Sequence, residues 1–407
     1  MSVPLALSRS GKSGIFVVKP IAGLTQLVVS NENSCAVTAA SVEVHLFTNL
    51  SPDVKPIATK SRRFSEGDRG FIEESIEKLL ADGVIRPSSS PWRAQVLVVK
   101  DETDRHKKRL CVDYSQTINI YTELDAYPLP RIDDMVNELA KYSVFSTFDL
   151  RSACHQIKIA DSESKYTAFG ANGKLYEFTR IPFGVKNGVA AFQRRIAQFI
   201  EDEKLMDTYA YLDNFTAAGR NHEEHDYNVN AFLAAIRRNH FTLNENKIIA
   251  AQSHIQVLSY VVGNDIVKPD PDRLSTLKEF PAPQCRKLLC RVVGMFAYYA
   301  KWIERFAHKV RPLATASEFP ISSNALRAFE TLKPELGKVA LNSVDETVPF
   351  VVECDASDVD VSAVLNQRGR PVSFMSRTLH GSELHYPACE KEASAIMEDI
   401  KKWSIYF

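Results

Sequence analysis

Two short apolar runs end on aspartates: Phe145-Ser-Thr-Phe-Asp149-Leu and Tyr211-Leu-Asp213-Asn. The residues leading into them, Val144–Phe148 and Thr208–Leu212, read as strands, the first of them buried. A carboxylate that leaves a buried strand into a turn is well placed to hold a hard cation such as Mg²⁺. Two such ions, roughly 3.5–4 Å apart, clamp the attacking and leaving oxygens in phosphoryl transfer. A single acidic strand end is usually a solvated terminus. The pair gains meaning only from the order of the elements around it.

That order is regular. From Phe71 a helix is expected, with Ile72, Ile76, Leu79 and Leu80 on one face, Glu73, Glu74, Glu77 and Lys78 on the other, and Gly83 as its stop. Pro87-Ser-Ser-Ser-Pro-Trp92 makes a rigid turn before a strand at Ala94–Lys100. A second strand, Leu110–Tyr114, follows the basic run Arg105-His-Lys-Lys-Arg109, so the pair should carry a cationic loop at its tip. A helix from about Asp133 to Lys141 precedes the first aspartate, and a long helix after Pro182-Phe183-Gly184 runs to about Glu203. A helix at His225–Asn239 and strands around Thr242–Ala250 and Val257–Val262 come after the second. Residues 275–340 read as helical, with an aromatic cluster of Phe296, Tyr298, Tyr299, Trp302 and Phe306. From Pro349, strands at Phe350–Cys354, Val361–Leu365 and Pro371–Met375 lead to a helix at about Cys389–Trp403. Residues 1 to about 50 alternate in a strand-like way (14–18, 27–29, 42–46) without a usable motif.

Length and charge set bounds. A chain of 407 residues suits two to three domains. Its 50 Lys+Arg balance 50 Asp+Glu, so any polyanion must be held by local patches rather than by overall charge. Seven scattered cysteines form no CxxC pair or zinc-type spacing, and they read as reduced thiols of a cytoplasmic or nuclear protein. Neither a membrane-length apolar run nor a signal-peptide pattern is present.

The motifs themselves, in their order, resemble those of gypsy-type long-terminal-repeat retrotransposon polymerases. The words are Pro87-Ser-Ser-Ser-Pro-Trp, Arg109-Leu-Cys-Val-Asp-Tyr, Tyr127-Pro-Leu-Pro-Arg-Ile, Phe145-Ser-Thr-Phe-Asp-Leu-Arg-Ser, Tyr176-Glu-Phe-Thr-Arg-Ile-Pro-Phe-Gly and Tyr211-Leu-Asp. The resemblance runs from about residue 55 to the last residue. It implies an α+β right-hand polymerase fold of fingers, palm and thumb, and a C-terminal partial ribonuclease H-like segment. The corresponding divisions are 1–55, of unknown role, 56–265 for fingers and palm, 266–345 for a helical thumb or connection, and 346–407 for the ribonuclease H-like part. It implies two Mg²⁺ ions, or Mn²⁺, on Asp149 and Asp213, with a primed RNA or DNA template and deoxynucleoside triphosphates as partners. Arg109 would contact the incoming triphosphate, a role that suits a forked guanidinium. Phe183 and Gly184 would floor the nascent base pair, and Lys247 would lie near the leaving pyrophosphate. Leu258, Ser259 and Tyr260 match the loop that grips the primer end. Val351-Val-Glu-Cys-Asp-Ala-Ser, Ala363-Val-Leu-Asn-Gln, Pro371-Val-Ser-Phe-Met-Ser-Arg-Thr-Leu and Glu390-Lys-Glu-Ala resemble a ribonuclease H domain, with Asp355 and Glu392 as its first two metal carboxylates.

Four departures from the family pattern bear on activity. Asn214 stands where the hairpin has a second aspartate, and an amide cannot replace a carboxylate's charge beside divalent ions. Cys154 stands where a tyrosine ring excludes a ribose 2′-hydroxyl, which predicts weaker rejection of ribonucleotides. Ser259 replaces a glycine; if that position needs positive φ, it is strained by about 1 kcal/mol or more. The chain stops at Phe407, before the family's next ribonuclease H aspartate, so ribonuclease H activity is not expected. The expectation is an RNA-directed DNA polymerase impaired at one site. The alternatives are a non-catalytic nucleic-acid-binding relic, gripping through Arg105–Arg109 and Arg286–Lys287, and a translated fragment without function.

Overall fold

The computed structural model describes residues 43–51, 53–100, 108–338, 340–345 and 347–406. These fall into two compact units. The first comprises the described residues up to Leu129 together with Ser146–Ala250; the second comprises Pro130–Phe145 and the chain from Ala251 onward.

The first unit opens with a helix that starts at Glu66, five positions before the expected Phe71, and ends at Ala81. Ser65 is its cap, accepting a hydrogen bond from the Asp68 amide at 3.2 Å, and Glu66 and Asp68 place negative charge on the first turn. Gly67 and Gly70 interrupt the apolar period there, so the cap and not the hydrophobic face marks the start. Gly83, at φ +63°, closes the helix as expected. Ile72 and Ile76 are buried.

Five strands form one sheet of this unit, in the order Ile85–Pro87, Lys174–Phe178, Phe169–Ala171, Ala94–Lys100, Lys108–Asp113. Ala94–Lys100 and Lys108–Asp113 are the expected antiparallel pair. Arg105, His106 and Lys107 of the expected cationic tip lie outside the described residues. A second sheet runs Ile249–Gln252, Val144–Asp149, Asn214–Gly219, Thr208–Tyr211. Helices Gly188–Asp202 and His222–Arg238 belong to the same unit. The rings of Phe148 and Phe215 lie 4.8 and 5.1 Å from that of Phe232, and all three are buried. Burying a side chain of this size stabilises by about 1.5–3 kcal/mol. Gly219 allows the closest approach: a Cβ there would lie 2.3 Å from the His225 amide nitrogen at the start of the second helix.

The segment before residue 51 joins this unit. Glu43–Val44 pairs in parallel with Lys158–Ile159, and Leu46 and Phe47 enter the core. The Glu163 carboxylate accepts the Leu46 amide at 2.6 Å. The strand-like runs at 14–18 and 27–29 lie outside the described residues.

In the second unit, helix Ile132–Ala140 accompanies a sheet ordered Ile255–Val257, Tyr260–Gly263, Ile266–Pro269, Leu341–Asn342. Helices Pro271–Lys278, Arg286–Tyr298, Phe306–Ala314 and Ser323–Glu335 make up the expected helical stretch. The antiparallel strands Val351–Ala356, Asp360–Gln367 and Arg370–Thr378 and the helix Ala388–Lys402 follow. Two expected strands are corrected. Val257–Val262 is a hairpin, because Leu258 (φ 49°) and Ser259 (φ 82°) form a two-residue reversal with Val257 opposite Tyr260. The Thr242–Ala250 run is broken by a 3-10 turn at Glu245–Lys247, with only its end continuing as Ile249–Gln252.

Candidate active site

Asp149 closes the strand Val144–Asp149 with its side chain largely buried. The Asn244 amide nitrogen donates to its main-chain oxygen at 2.7 Å, and Asn244 Nδ2 lies 3.4 Å from its Oδ1. Lys247 Nζ sits 3.0 Å from its Oδ2, so a cation already faces this carboxylate. Asp213 occupies the two-residue turn between the neighbouring strands, where Tyr211 faces Asn214. The Leu150 amide donates to the Asp213 main-chain oxygen at 3.0 Å, which holds the two strand ends together. Leu212 takes a left-handed φ of 54°, and its amide donates to Gln193 Oε1 at 2.9 Å. A helix side chain thus props a strained turn, a common arrangement where a functional group must project. Asn214 Nδ2 lies 3.4 Å from Asp213 Oδ1, so the amide donates toward the carboxylate and adds no charge.

Cys154 lies in the 3-10 turn Ala153–Gln156, and burial with the nearby Asp213 charge pushes its thiol up to about 11. The neighbouring His155 is pushed down to about 4, first by burial and then by the Arg180 charge. Its ring packs against Phe183, centroids 5.2 Å apart, and Phe183 remains 62% exposed as an apolar platform. Gly184 has φ +89°, and a Cβ would meet the Val112 carbonyl at 3.1 Å. Asn119 fixes this loop, donating to the Gly184 carbonyl and accepting from the Lys186 amide, both at 2.9 Å. Arg109 is exposed on its strand, opposite Val99.

The first unit also holds an open cavity of about 730 Å³ between residues 58–64, 90–96 and 170–175. Lys60, Arg62, Arg63, Arg69, Arg93 and Lys174 line it against a single acidic residue, Glu73. Lys60, Arg62 and Arg63 share one short run, but Arg69, Arg93 and Lys174 join them only in the fold, so no single stretch of sequence marks the patch. The sequence reading likewise missed Gln193, Asn244 and Asn119, whose partners are distant in sequence and leave no local pattern.

The remaining expected site residues belong to the second unit. Leu258 and Ser259 form the hairpin reversal, and the buried Tyr260 ring carries the Lys301 ammonium 5.0 Å from its centroid. Asp355, on strand Val351–Ala356, has Oδ2 2.5 Å from the Arg305 guanidinium, while Glu392 is exposed on helix Ala388–Lys402. Among the described residues no group of three or more His, Cys, Asp or Glu side chains is placed to hold a metal ion. No described helix is long and apolar enough to cross a membrane.

Residues 95–262 match the family described as reverse transcriptase (RNA-dependent DNA polymerase). Residues 321–407 match the ribonuclease H-like domain found in reverse transcriptase. The chain is 33% identical over 389 residues to the retrovirus-related Pol polyprotein from transposon opus of Drosophila melanogaster, covering 90% of this chain and 38% of that protein. It is 31% identical over 371 residues to the corresponding polyprotein from transposon gypsy of the same organism, covering 86% and 36%. The chain therefore spans little more than a third of these relatives. In fold it is similar to the foamy viral protease-reverse transcriptase dRH in complex with double-stranded DNA, with TM-score 0.80, 19% identity, and coverage of 91% of this chain and 66% of that one. A further foamy viral protease-reverse transcriptase structure with double-stranded DNA gives TM-score 0.79 at 20% identity, covering 91% and 78%. The chain thus carries a reverse transcriptase domain followed by a ribonuclease H-like domain, and over most of its length it is similar to gypsy-type retrotransposon Pol polyproteins.

Proposed function

We propose that this chain is the polymerase segment of a retrotransposon Pol polyprotein, an RNA-directed DNA polymerase that extends a primer with deoxynucleotides on an RNA or DNA template. The observation that carries the reading is the Leu150–Asp213 main-chain hydrogen bond, which ties the residue after Asp149 to the turn that holds Asp213. Residues 56–265 act as fingers and palm, 266–345 as thumb or connection, and 346–407 as the ribonuclease H-like part.

Reverse transcriptases as a family use divalent metal ions. Asp149 and Asp213 offer the hard oxygens such ions require, and Asn214 offers only a neutral amide, so the donor set fits with one charge missing. Bound there, two Mg²⁺ ions would lower the charge on the attacking and leaving oxygens of phosphoryl transfer. The chain's own groups do the rest. Lys247, now on Asp149, would neutralise departing pyrophosphate. Arg109 supplies a fork for triphosphate oxygens. Phe183 and Gly184, held by Asn119 and His155, present a flat apolar floor to the nascent pair. Cys154 borders the sugar with a small side chain, and Leu258–Tyr260 hold the primer end.

The test is primer extension by the purified chain on poly-rA·oligo-dT with Mg²⁺ or Mn²⁺, beside Asp149→Ala and Asp213→Ala. Extension lost in both variants supports the polymerase reading. A second reading, a nucleic-acid-binding protein without polymerase chemistry, draws on Asn214 and on the basic cavity. It predicts salt-sensitive binding of primer–template that neither alanine substitution weakens, with no extension by the unaltered chain.

A further inference from the structure

The ribonuclease H resemblance makes Asp355 a metal carboxylate, and its surroundings do not fit that role. Its Oδ2 lies 2.5 Å from a terminal guanidinium nitrogen of Arg305. Arginine is charged at every accessible pH, so this partner does not leave by deprotonation. Arg305 directly precedes the helix Phe306–Ala314 and holds a left-handed φ of 51°, a conformation that costs an L-residue free energy unless its surroundings impose it.

Those surroundings are on the same strands. The Ala307 amide donates to Ser376 Oγ at 2.8 Å, and His308 Nδ1 lies 3.8 Å from the buried Asp360. Residues 305, 307 and 308 therefore each engage a different strand of the three-stranded sheet. Magnesium takes six oxygen ligands in a near-octahedral arrangement. Asp355 has a guanidinium on it instead.

We propose that the Arg305 guanidinium is the resident cation of the ribonuclease H-like segment: it converts Asp355 from a metal ligand into the ionic anchor of the helix beginning at Phe306 and keeps divalent ions off it. The proposal is independent of the polymerase reading, because it concerns neither Asp149 nor Asp213.

The experiment counts bound Mn²⁺ by electron paramagnetic resonance on the whole chain, in an Asp149→Asn, Asp213→Asn background that silences the other carboxylate pair. With Arg305 or Arg305→Lys in place, adding Asp355→Asn is expected to change the bound Mn²⁺ by nothing. Arg305→Gln is expected to gain one Mn²⁺ ion, lost again when Asp355→Asn is added. Thermal midpoints of the two single changes and the double change report whether each variant folds, and they are expected to be non-additive, since each single change breaks the same pair. A Mn²⁺ ion that depends on Asp355 while Arg305 is present overturns the proposal. So does an Arg305→Gln chain that stays folded and gains no ion, and so do midpoint shifts that simply add.

Discussion

Asn214, Cys154 and His155 each carry a different consequence for the site. The Cys154 thiol, pushed up to about 11 by burial and by Asp213, stays protonated near neutral pH and is a poor nucleophile. Peptide mapping after iodoacetamide at pH 8 should find Cys154 alkylated far more slowly than the exposed Cys285 and Cys290. Equal labelling would mean that the Cys154 thiol is not shielded by burial. His155 is linked to stability with a definite sign. Its folded value of about 4 is depressed from the ordinary 6.5, so between those pH values the unfolded chain binds a proton that the folded chain refuses. Stability should fall as pH drops through that window, by at most about 1.4 kcal/mol per pH unit, and level off below it. Replacing His155 with Gln should flatten this limb in urea titrations at pH 6.5 and 4.5; an unchanged slope would assign the acid sensitivity elsewhere.

The hairpin Ile255–Val257/Tyr260–Gly263 shows how a short element can be strained by two residues. Tight two-residue reversals with both φ positive favour Asn-Gly, and this one carries Leu258-Ser259. Ser259→Gly should raise stability by about 0.5–1 kcal/mol, the relief of left-handed strain less the extra freedom of glycine when unfolded. A chemical denaturation midpoint that falls would show that the serine makes a compensating contact. The same element marks where sequence reading failed. Apolar alternation at Val257–Val262 reads as one strand, because Leu258 gives no turn signal and a lone Ser259 gives a weak one. Strands bounded by turn residues fared better: Ala94–Lys100 after Pro91-Trp92 was legible to the residue. The place of Asp149 at the end of its strand was legible from the apolar run before it. Asn244, which reaches Asp149, and Gln193, which accepts from the Leu212 amide in the turn that holds Asp213, were not, since each meets its partner across the fold.

For the whole chain, equal numbers of basic and acidic residues leave no net charge to draw in a polyanion. Any nucleic-acid affinity would then have to come from concentrated cations such as those lining the cavity at Lys60–Arg63 and Arg93. Arg62→Ala with Arg63→Ala should weaken primer–template binding uniformly across sequences and flatten the plot of log K against log salt by about 0.9 for each phosphate no longer neutralised. An unchanged slope would put the phosphates elsewhere. The central claim, a reverse transcriptase palm whose hairpin lacks one carboxylate, is tested most directly by Asn214→Asp. Primer extension on poly-rA·oligo-dT with Mg²⁺ would be measured for the unaltered chain and for this variant, with Asp149→Ala as control. The account predicts that Asn214→Asp extends about 10²–10³-fold faster than the unaltered chain, using the removal of one electrostatic donor to a transition state as the yardstick. Equal rates in both, abolished by Asp149→Ala, would contradict it by showing that the amide at 214 costs the site nothing.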